Sequence, residues 1–352
     1  MSQPVAALTS TQRGMSARAK RHRLAIALAL VLGTVTAGAS SAPHSAHALD
    51  SGGLVFGPFQ GSNESWEVTG CAAVCADPVI IPSVVDGKPV FGIGQSSFWY
   101  DSSLREVRIP ASITTISSYA FGGSSATTFV VDPLSQHFTS VNGMLMTIDG
   151  TELVAYPGGA TATSVTVPTG VMKIRAGAFF GGPVTSVSLP TSLEVIEQQA
   201  FYLNGLLTLE LPSAVSSIGE DAFGPSLTAI TVAAGNPTFS AVDGVLFRGN
   251  ELFMYPRGRT ATSYQVPAGT TAIQDTALDR NPILTSISLP VSLTTFTSNP
   301  LRGLSALSSV SVVAGHPTLS AVDGVLFRGS SLIAYPKARA GATYSVPSGT
   351  TE

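Results

Sequence analysis

An internal repeat constrains this chain more than any other feature of its sequence. An apolar residue followed by proline recurs eight times, in a constant phase with later apolar positions. An isoleucine usually follows six positions after the proline, and in four copies an Ala-Phe pair follows ten and eleven positions after it. A period of about 22 residues indicates one supersecondary unit stacked many times rather than separate globular domains. The eight pairs are Ile81-Pro82, Ile109-Pro110, Val167-Pro168, Leu189-Pro190, Leu211-Pro212, Val266-Pro267, Leu289-Pro290 and Val346-Pro347.

Three of the units are longer than the rest. Each contains a segment in which apolar and polar residues alternate around Asn-Gly or Asp-Gly, at 138–157, 239–256 and 319–336. This dipeptide between alternating residues is the strongest short-range signal for a β-hairpin. We therefore predict about eleven stacked coils of about 22 residues, three of them lengthened by a β-hairpin insert.

The segment 184–201 shows what one coil needs. Val187 and Leu189 alternate with serines, which is typical of a half-buried strand, and Pro190 ends that strand because it cannot donate a ladder hydrogen bond. A short helical turn is predicted before Phe201, which fills the centre of the coil. Stacked coils of this kind bury one continuous core, so we read the phenylalanines as core residues rather than as a ligand platform.

The repeat resembles that of the BspA-type leucine-rich-repeat family. The resemblance is carried by LREVRIPASITTISSYAF (104–121), by VDGKPVFGIGQSSF (85–98) and by the VDGVLFRG inserts. It implies a curved, β-rich solenoid of the leucine-rich-repeat type, with short parallel strands on the concave face and short helical turns elsewhere. It also implies a secreted or surface-attached bacterial protein that binds host or neighbouring-cell macromolecules. The chain departs from this pattern in its last copies, where the phenylalanine is lost.

The first 48 residues have the order of a secretory signal peptide. A basic cluster at 18–23 precedes an apolar run at 24–37, and Ala46-His47-Ala48 follows. The apolar run is shorter than the roughly 20 residues of a membrane-spanning helix. We predict cleavage after Ala48 and a secreted, extracellular protein, with attachment to the cell surface left open.

Residues 49–77 are predicted to form an N-terminal cap, and the repeats fill 78–352. The cap contains Cys71 and Cys75, which are the only cysteines of the chain. An oxidising compartment and the lack of a third thiol favour a disulfide between them over a zinc site.

Composition excludes several classes of function. From residue 49 onward, 13 lysines and arginines face 21 acidic residues, a net charge of −8 that argues against a nucleic-acid partner. That region has two histidines, His137 and His316, so a histidine triad or a metal centre has almost no ligands to draw on. We expect no enzyme activity, no cofactor and no metal. Glu194, Glu197, Glu220 and Asp221, which could be taken for the paired carboxylates of a glycosidase, are interpreted as solvated, as are Arg248 and Arg328. The Tyr-Pro pairs at Tyr156, Tyr255 and Tyr335 are interpreted as closing the inserts.

The alternation of inward and outward residues along the predicted strands suggests a candidate binding face. Outward positions on the predicted concave strands are mostly small and polar, with arginines at the N-terminal end. They are Arg105, Arg108, Thr166, Ser188, Glu210, Gln265 and Ser288. The pattern suggests an adhesin-like surface for a protein or a glycan. Two alternatives stay open, an ordinary solvated sheet face and a structural spacer module of the cell envelope without a ligand.

The last unit ends before the positions at which the other units carry isoleucine, alanine and phenylalanine. It contains Val346 and Pro347 and ends at Glu352. Because a solenoid needs a polar cap on its final coil, we expect the repeat to be incomplete here. The expected consequence is edge-to-edge association or cover by another molecule.

The leader yields the first prediction. N-terminal sequencing of the exported protein should begin at Leu49, because the small residues before it fit signal peptidase. A mature protein that retains the apolar run at 24–37 would contradict this interpretation.

Overall fold

The computed structural model describes residues 47–48, 53–296, 301–341 and 343–351. These residues form a β-solenoid of about 11 coils. The predicted leader, apart from His47 and Ala48, lies outside the described residues. No helix occurs in the described part of the chain, and therefore none of it forms a helix long and apolar enough to cross a membrane.

An antiparallel hairpin begins the described fold. Strands β2 and β3 pair with each other, and β3 continues parallel to β6 of the first coil. Trp66, a residue of β3, is buried and donates its indole N–H to the carbonyl of Val85 at 3.1 Å. The strands of this region are β1 (His47–Ala48), β2 (Leu54–Phe59), β3 (Ser62–Cys71), β5 (Val84–Val85) and β6 (Lys88–Ile93).

Two sets of short parallel strands run along the coils. Most strands of the first set end within two residues of a proline, and the second set follows in the same coil at the isoleucine phase. The first set is β4 (Val79–Ile80), β7 (Glu106–Ile109), β9 (Thr128–Val131), β13 (Ser164–Thr166), β15 (Ser186–Ser188), β17 (Thr208–Leu211), β19 (Ala229–Val232), β23 (Ser263–Gln265), β25 (Ser286–Leu289) and β26 (Ser309–Val312). The second set, after β6, is β8 (Thr115–Ile116), β12 (Glu152–Ala155), β14 (Lys173–Ile174), β16 (Val195–Ile196), β18 (Ser217–Ile218), β22 (Glu251–Met254), β24 (Ala272–Ile273) and β29 (Ser331–Ala334).

The three predicted hairpins are confirmed. Asn142, Asp243 and Asp323 each have positive φ and precede a glycine of positive φ, the geometry of a two-residue hairpin turn. Each hairpin then pairs with the second-set strand of its own coil. The hairpin strands are β10 (Phe138–Val141), β11 (Met144–Thr147), β20 (Phe239–Val242), β21 (Val245–Arg248), β27 (Leu319–Val322) and β28 (Val325–Arg328).

The predicted helical turn before Phe201 is wrong. Alternate amides there point to the next coil instead: Gln199 donates to Glu220 at 3.1 Å and Phe201 to Ala222 at 2.7 Å. Gln199 has a φ of 54°, which interrupts any right-handed helix. The amides between them form only i→i+3 turn bonds, from Ala200 to Glu197 at 3.3 Å and from Tyr202 to Gln199 at 3.1 Å, so a ladder between coils takes the place of a continuous helix.

A column of rings lies at the centre of the coils. Phe179 stacks on Phe201 with centroids 4.7 Å apart, and Phe201 stacks on Phe223 at 6.1 Å. Tyr156 of the first hairpin coil stacks on Phe179 at 5.0 Å, and its N–H donates to Ala178. The Tyr156-Pro157 pair thus supplies the ring of its coil as well as closing the insert.

The hairpin coils divide this stack into sections. The second strand set pairs as β12-β14-β16-β18 and then starts again at β22, and the ring column does the same between Phe223 and Tyr255. The buried apolar side chains fall into three clusters that meet at the first two hairpins, spanning 54–155, 144–254 and 245–334. Pairing between strands of the first set is also interrupted at these hairpins. It is interrupted once more between β15 and β17, for which the structure offers no explanation.

The final coil lies against the strand before it. Thr351 forms a parallel bridge with Ser331, while Leu332 and Tyr335 of the last hairpin coil are exposed. The expected association through this edge stays a prediction.

The ring column yields a stability prediction. Phe201 is 0% exposed between two stacked rings, whereas Phe296 is 7% exposed and lies below the guanidinium of Arg328. Phe201→Ala should cost roughly 3–5 kcal/mol of unfolding free energy, and Phe296→Ala clearly less. Urea unfolding of both variants checks this. Equal shifts of the two unfolding midpoints would show that the rings at the two positions contribute equally to stability.

Candidate functional site

The outward side chains of the first strand set stand in register across neighbouring coils. Arg108 pairs with Val130, Thr166 with Ser188, and Gln265 with Ser288. Glu210 occupies the same row beside Thr231. Most of the row is exposed and Ser288 is half-buried, and all the sequence-predicted residues except Arg105 lie in this row, which we call the strand face.

The N-terminal end of the strand face has a different chemistry. Ile80, Arg108 and Val130 are direct neighbours in register, with exposed fractions of 59%, 54% (side chain) and 44%. Arg108 pairs with Glu106 at 2.6 Å. An arginine between two exposed aliphatic side chains combines a residue type that is enriched at interface hot spots with apolar surface that gains from burial.

Ile80 was not predicted from the sequence as part of this surface, and Arg105 does not lie where the sequence predicted it. Ile80 precedes the strand end at Ile81, so the same phase rule would have found it. Arg105 lies in the turn before β7 and donates to the carbonyls of Ser102 and Leu104 at 3.0 and 2.6 Å. It flanks the strand face rather than belonging to its row.

Cys71 and Cys75 form a disulfide at the end of β3. The carboxylate of Asp101 lies beside them, and these three residues are the one group among the described residues with the proximity of metal ligands. Both sulfurs are bonded to each other, and Asp101 accepts from the amide and hydroxyl of Ser103. The amide of Cys75 donates to Ser103 Oγ at 3.2 Å, and this hydrogen bond ties the disulfide to the loop at 101–103.

Two clefts accompany the first two hairpin coils. The first, of about 490 Å³, contains Glu152 between Lys173 at 2.9 Å and Arg175 at 2.5 Å. Partial burial opposes ionisation of Glu152, but the hydrogen bonds and charges of the two basic partners lower its pKa overall. Arg175 also donates to the carbonyl of Ile116 across the cleft at 3.2 Å.

The second cleft, of about 540 Å³, lies between the coil of Phe223 and that of Tyr255. Asp221, whose side chain is 11% exposed, lies there between Arg257 at 2.5 Å and Arg280 at 3.3 Å. Arg248, expected to be solvated, is exposed and pairs with Glu251 at 2.7 Å. The ion-paired position of Asp221 differs from the solvated one expected from sequence, because the partner arginines lie 36 and 59 residues further along the chain.

An aromatic cluster covers the turns beside the ring column. Trp99 contacts Tyr100, Tyr119 and Phe180, with centroids 5.3, 5.4 and 4.4 Å apart. A Cβ at Gly122 would lie 2.4 Å from the Trp99 ring, so that glycine makes room for it. Burial, together with the nearby carboxylate of Glu197, raises the pKa of Tyr119 to about 12. The rings touch each other and leave no space for a ligand between them.

Comparison with known proteins identifies the family. The chain belongs to the BspA-type leucine-rich-repeat region family, whose model matches six copies over residues 83–142, 155–252 and 249–334. The resemblance given by the repeat is thereby confirmed. Among proteins with curated descriptions, none matches this chain.

A solved structure shows the same fold. A leucine-rich repeat protein from Eubacterium ventriosum is 20% identical, with a TM-score of 0.50, 78% of this chain covered and 69% of that one. A leucine-rich cell surface protein from Faecalibacterium prausnitzii is 23% identical, with a TM-score of 0.47 and 77% of both chains covered. The pneumococcal vaccine antigen PcpA is 22% identical, with a TM-score of 0.47, 76% of this chain covered and 70% of that one.

Proposed function

We propose that this protein is a secreted or cell-surface, non-enzymatic repeat protein that binds a macromolecule through its strand face. The observation that carries the proposal is the in-register patch of Ile80, Arg108 and Val130 at one end of that face. Arginine is enriched at interface hot spots, and the buried core of an interface is more apolar than its polar rim. The serines, threonines and Gln265 along the remaining strands supply that polar surround.

Three observations support the extracellular location. The leader has the residue order of a signal peptide, the two cysteines are joined, and the chain belongs to a family of leucine-rich repeats. A protein partner fits the patch better than a glycan, because exposed aliphatic groups gain from burial against apolar surface.

A variant of the patch tests the proposal. Mature protein is screened against immobilised extracellular-matrix proteins and cell-wall glycans, and any ligand captured is measured by surface plasmon resonance. The triple variant Ile80→Ser, Arg108→Ala, Val130→Ser should weaken binding by more than about tenfold, since anchors dominate interface free energy. Its thermal midpoint should barely change, because all three side chains are exposed.

A matched control removes the same chemistry elsewhere. Val242, Arg302 and Val313 are also exposed, and the variant Val242→Ser, Arg302→Ala, Val313→Ser should retain wild-type affinity. Equal weakening by both triple variants would contradict the strand-face assignment. Failure of the wild-type protein to bind any of the immobilised molecules would favour the spacer module.

A further inference from the structure

The second and third hairpin coils share one sequence pattern. Residues 242–259 align with 322–339 without a gap, and the two segments form the same hairpin. Two positions that line the second cleft as arginines are basic in both coils, so the third coil keeps these positive charges. The positions hold Arg248 and Arg257 in the second hairpin coil, and Arg328 and Lys337 in the third.

The carboxylates that neutralise these positions are replaced in the third coil. Glu251 pairs with the first of the two arginines at 2.7 Å, and the residue aligned with it is Ser331. Asp221 pairs with the second at 2.5 Å. The residue in its phase, nine after the strand-ending proline, is Asn299, which lies outside the described residues. The third coil thus has the cations of the second without these two counter-charges.

Four basic side chains of this region form no ion pair within the described part of the chain. Residues 281–351 contain a single carboxylate, that of Asp323. The chain from residue 49 onward has a net charge of −8, so this stretch is a local positive region in an acidic protein. The four side chains are Arg302, Arg328, Lys337 and Arg339.

A cleft of about 270 Å³, which we call the third cleft, lies between residues 301–307 and the Tyr-Pro pair of the third hairpin coil. Arg302 belongs to its first segment and Lys337 to its second, and both are exposed. No carboxylate belongs to its described lining, and Asp279, which lies beside Gly303, already pairs with an arginine at 3.2 Å. The apolar lining residues are Leu301, Leu304, Leu307, Ala334 and Pro336.

Tyr335 adds an aromatic surface to the third cleft. It is 43% exposed, its ring lies edge-on to that of Tyr344 at 5.5 Å, and the guanidinium of Arg339 lies 5.9 Å from its centroid. Tyrosine and arginine are the residue types that most often dominate binding free energy at protein interfaces. The third cleft therefore combines unpaired cations with an apolar floor and an exposed ring.

We propose that the third cleft binds an acidic segment of a partner protein. A glutamate or aspartate of the segment pairs with Arg302 and Lys337, and so supplies the negative charge that the second coil contains itself. A neighbouring apolar side chain of the segment packs on the leucines and on Tyr335. An anionic polysaccharide would pair with the cations but leave the apolar floor in contact with water.

Fluorescence anisotropy of the mature full-length protein tests the third cleft at low ionic strength, where exposed charges act most strongly. The probe is a short fluorescein-labelled peptide that alternates leucine and glutamate. The double variant Arg302→Gln, Lys337→Gln should weaken binding about tenfold, because two charge-assisted hydrogen bonds are lost. The double variant Arg302→Lys, Lys337→Arg keeps both charges and should bind within about threefold of wild type.

A matched control removes one arginine and one lysine elsewhere. The double variant Arg248→Gln, Lys88→Gln changes the net charge by the same amount, but Arg248 already pairs with Glu251, and Lys88 lies over the ring of Trp66. It should change affinity less than about twofold. Equal weakening by this control and by the glutamine variant of the cleft would overturn the proposal, because the peptide would then respond to net charge alone.

This inference goes beyond the strand-face proposal, because the third cleft contains no residue of the strand face. The two triple variants of the strand-face test separate the proposals. The strand-face variant retains every lining residue and should bind the acidic peptide with unchanged affinity. Its control carries Arg302→Ala and should bind that peptide more weakly, so either proposal can fail while the other holds.

Hydrogen exchange of the wild-type protein locates the peptide without any variant. Saturating acidic peptide should slow exchange at 301–307 and 334–339, whereas a heparin-derived fragment and a leucine-lysine peptide should not. Absence of binding by the wild-type protein, or protection confined to other segments, would overturn the proposal. Protection of these segments by the heparin fragment or by the lysine peptide would overturn it as well.

Discussion

Contact between successive coils is the interaction on which the whole structure depends. A coil of about 22 residues cannot bury its own apolar edge, so its stability comes from its neighbours. Phe201 shows both parts of that contact, because its ring stacks on two others and its amide donates to Ala222 of the next coil. Strand pairing, ring stacking and amide donation therefore act between the same pairs of coils.

The hairpins interrupt this contact between successive coils, and polar clefts form where they do so. A hairpin occupies the place beside β12 or β22 where the strand of the preceding coil would pair. The polar side chains that bridge the resulting gaps are Arg175 at the first hairpin coil and Arg257 at the second. The uninterrupted strands, in contrast, present a regular outward row. The regular stack thus supplies a broad surface, and its interruptions supply clefts.

The sequence predicted the features that depend on local chemistry. Proline follows most first-set strands within two residues, and Asn142 or its equivalents turn each hairpin, so these elements, the ring column and most of the strand face followed from residue phase. Contacts between distant coils did not follow. The pairing of Asp221 with Arg257 joins residues 36 apart in the sequence, and the helical turn before Phe201 failed because alternate amides of that turn bond to the next coil.

Native-state hydrogen exchange in low denaturant tests the sectioned stack most directly. If the first two hairpin coils separate cooperative sections, the amides of β14 and β16 should share one opening free energy, and those of β25 and β26 another. Phe201→Ala should lower the first value and leave the second unchanged. One common opening free energy for all four strands, lowered equally by this substitution, would contradict the account.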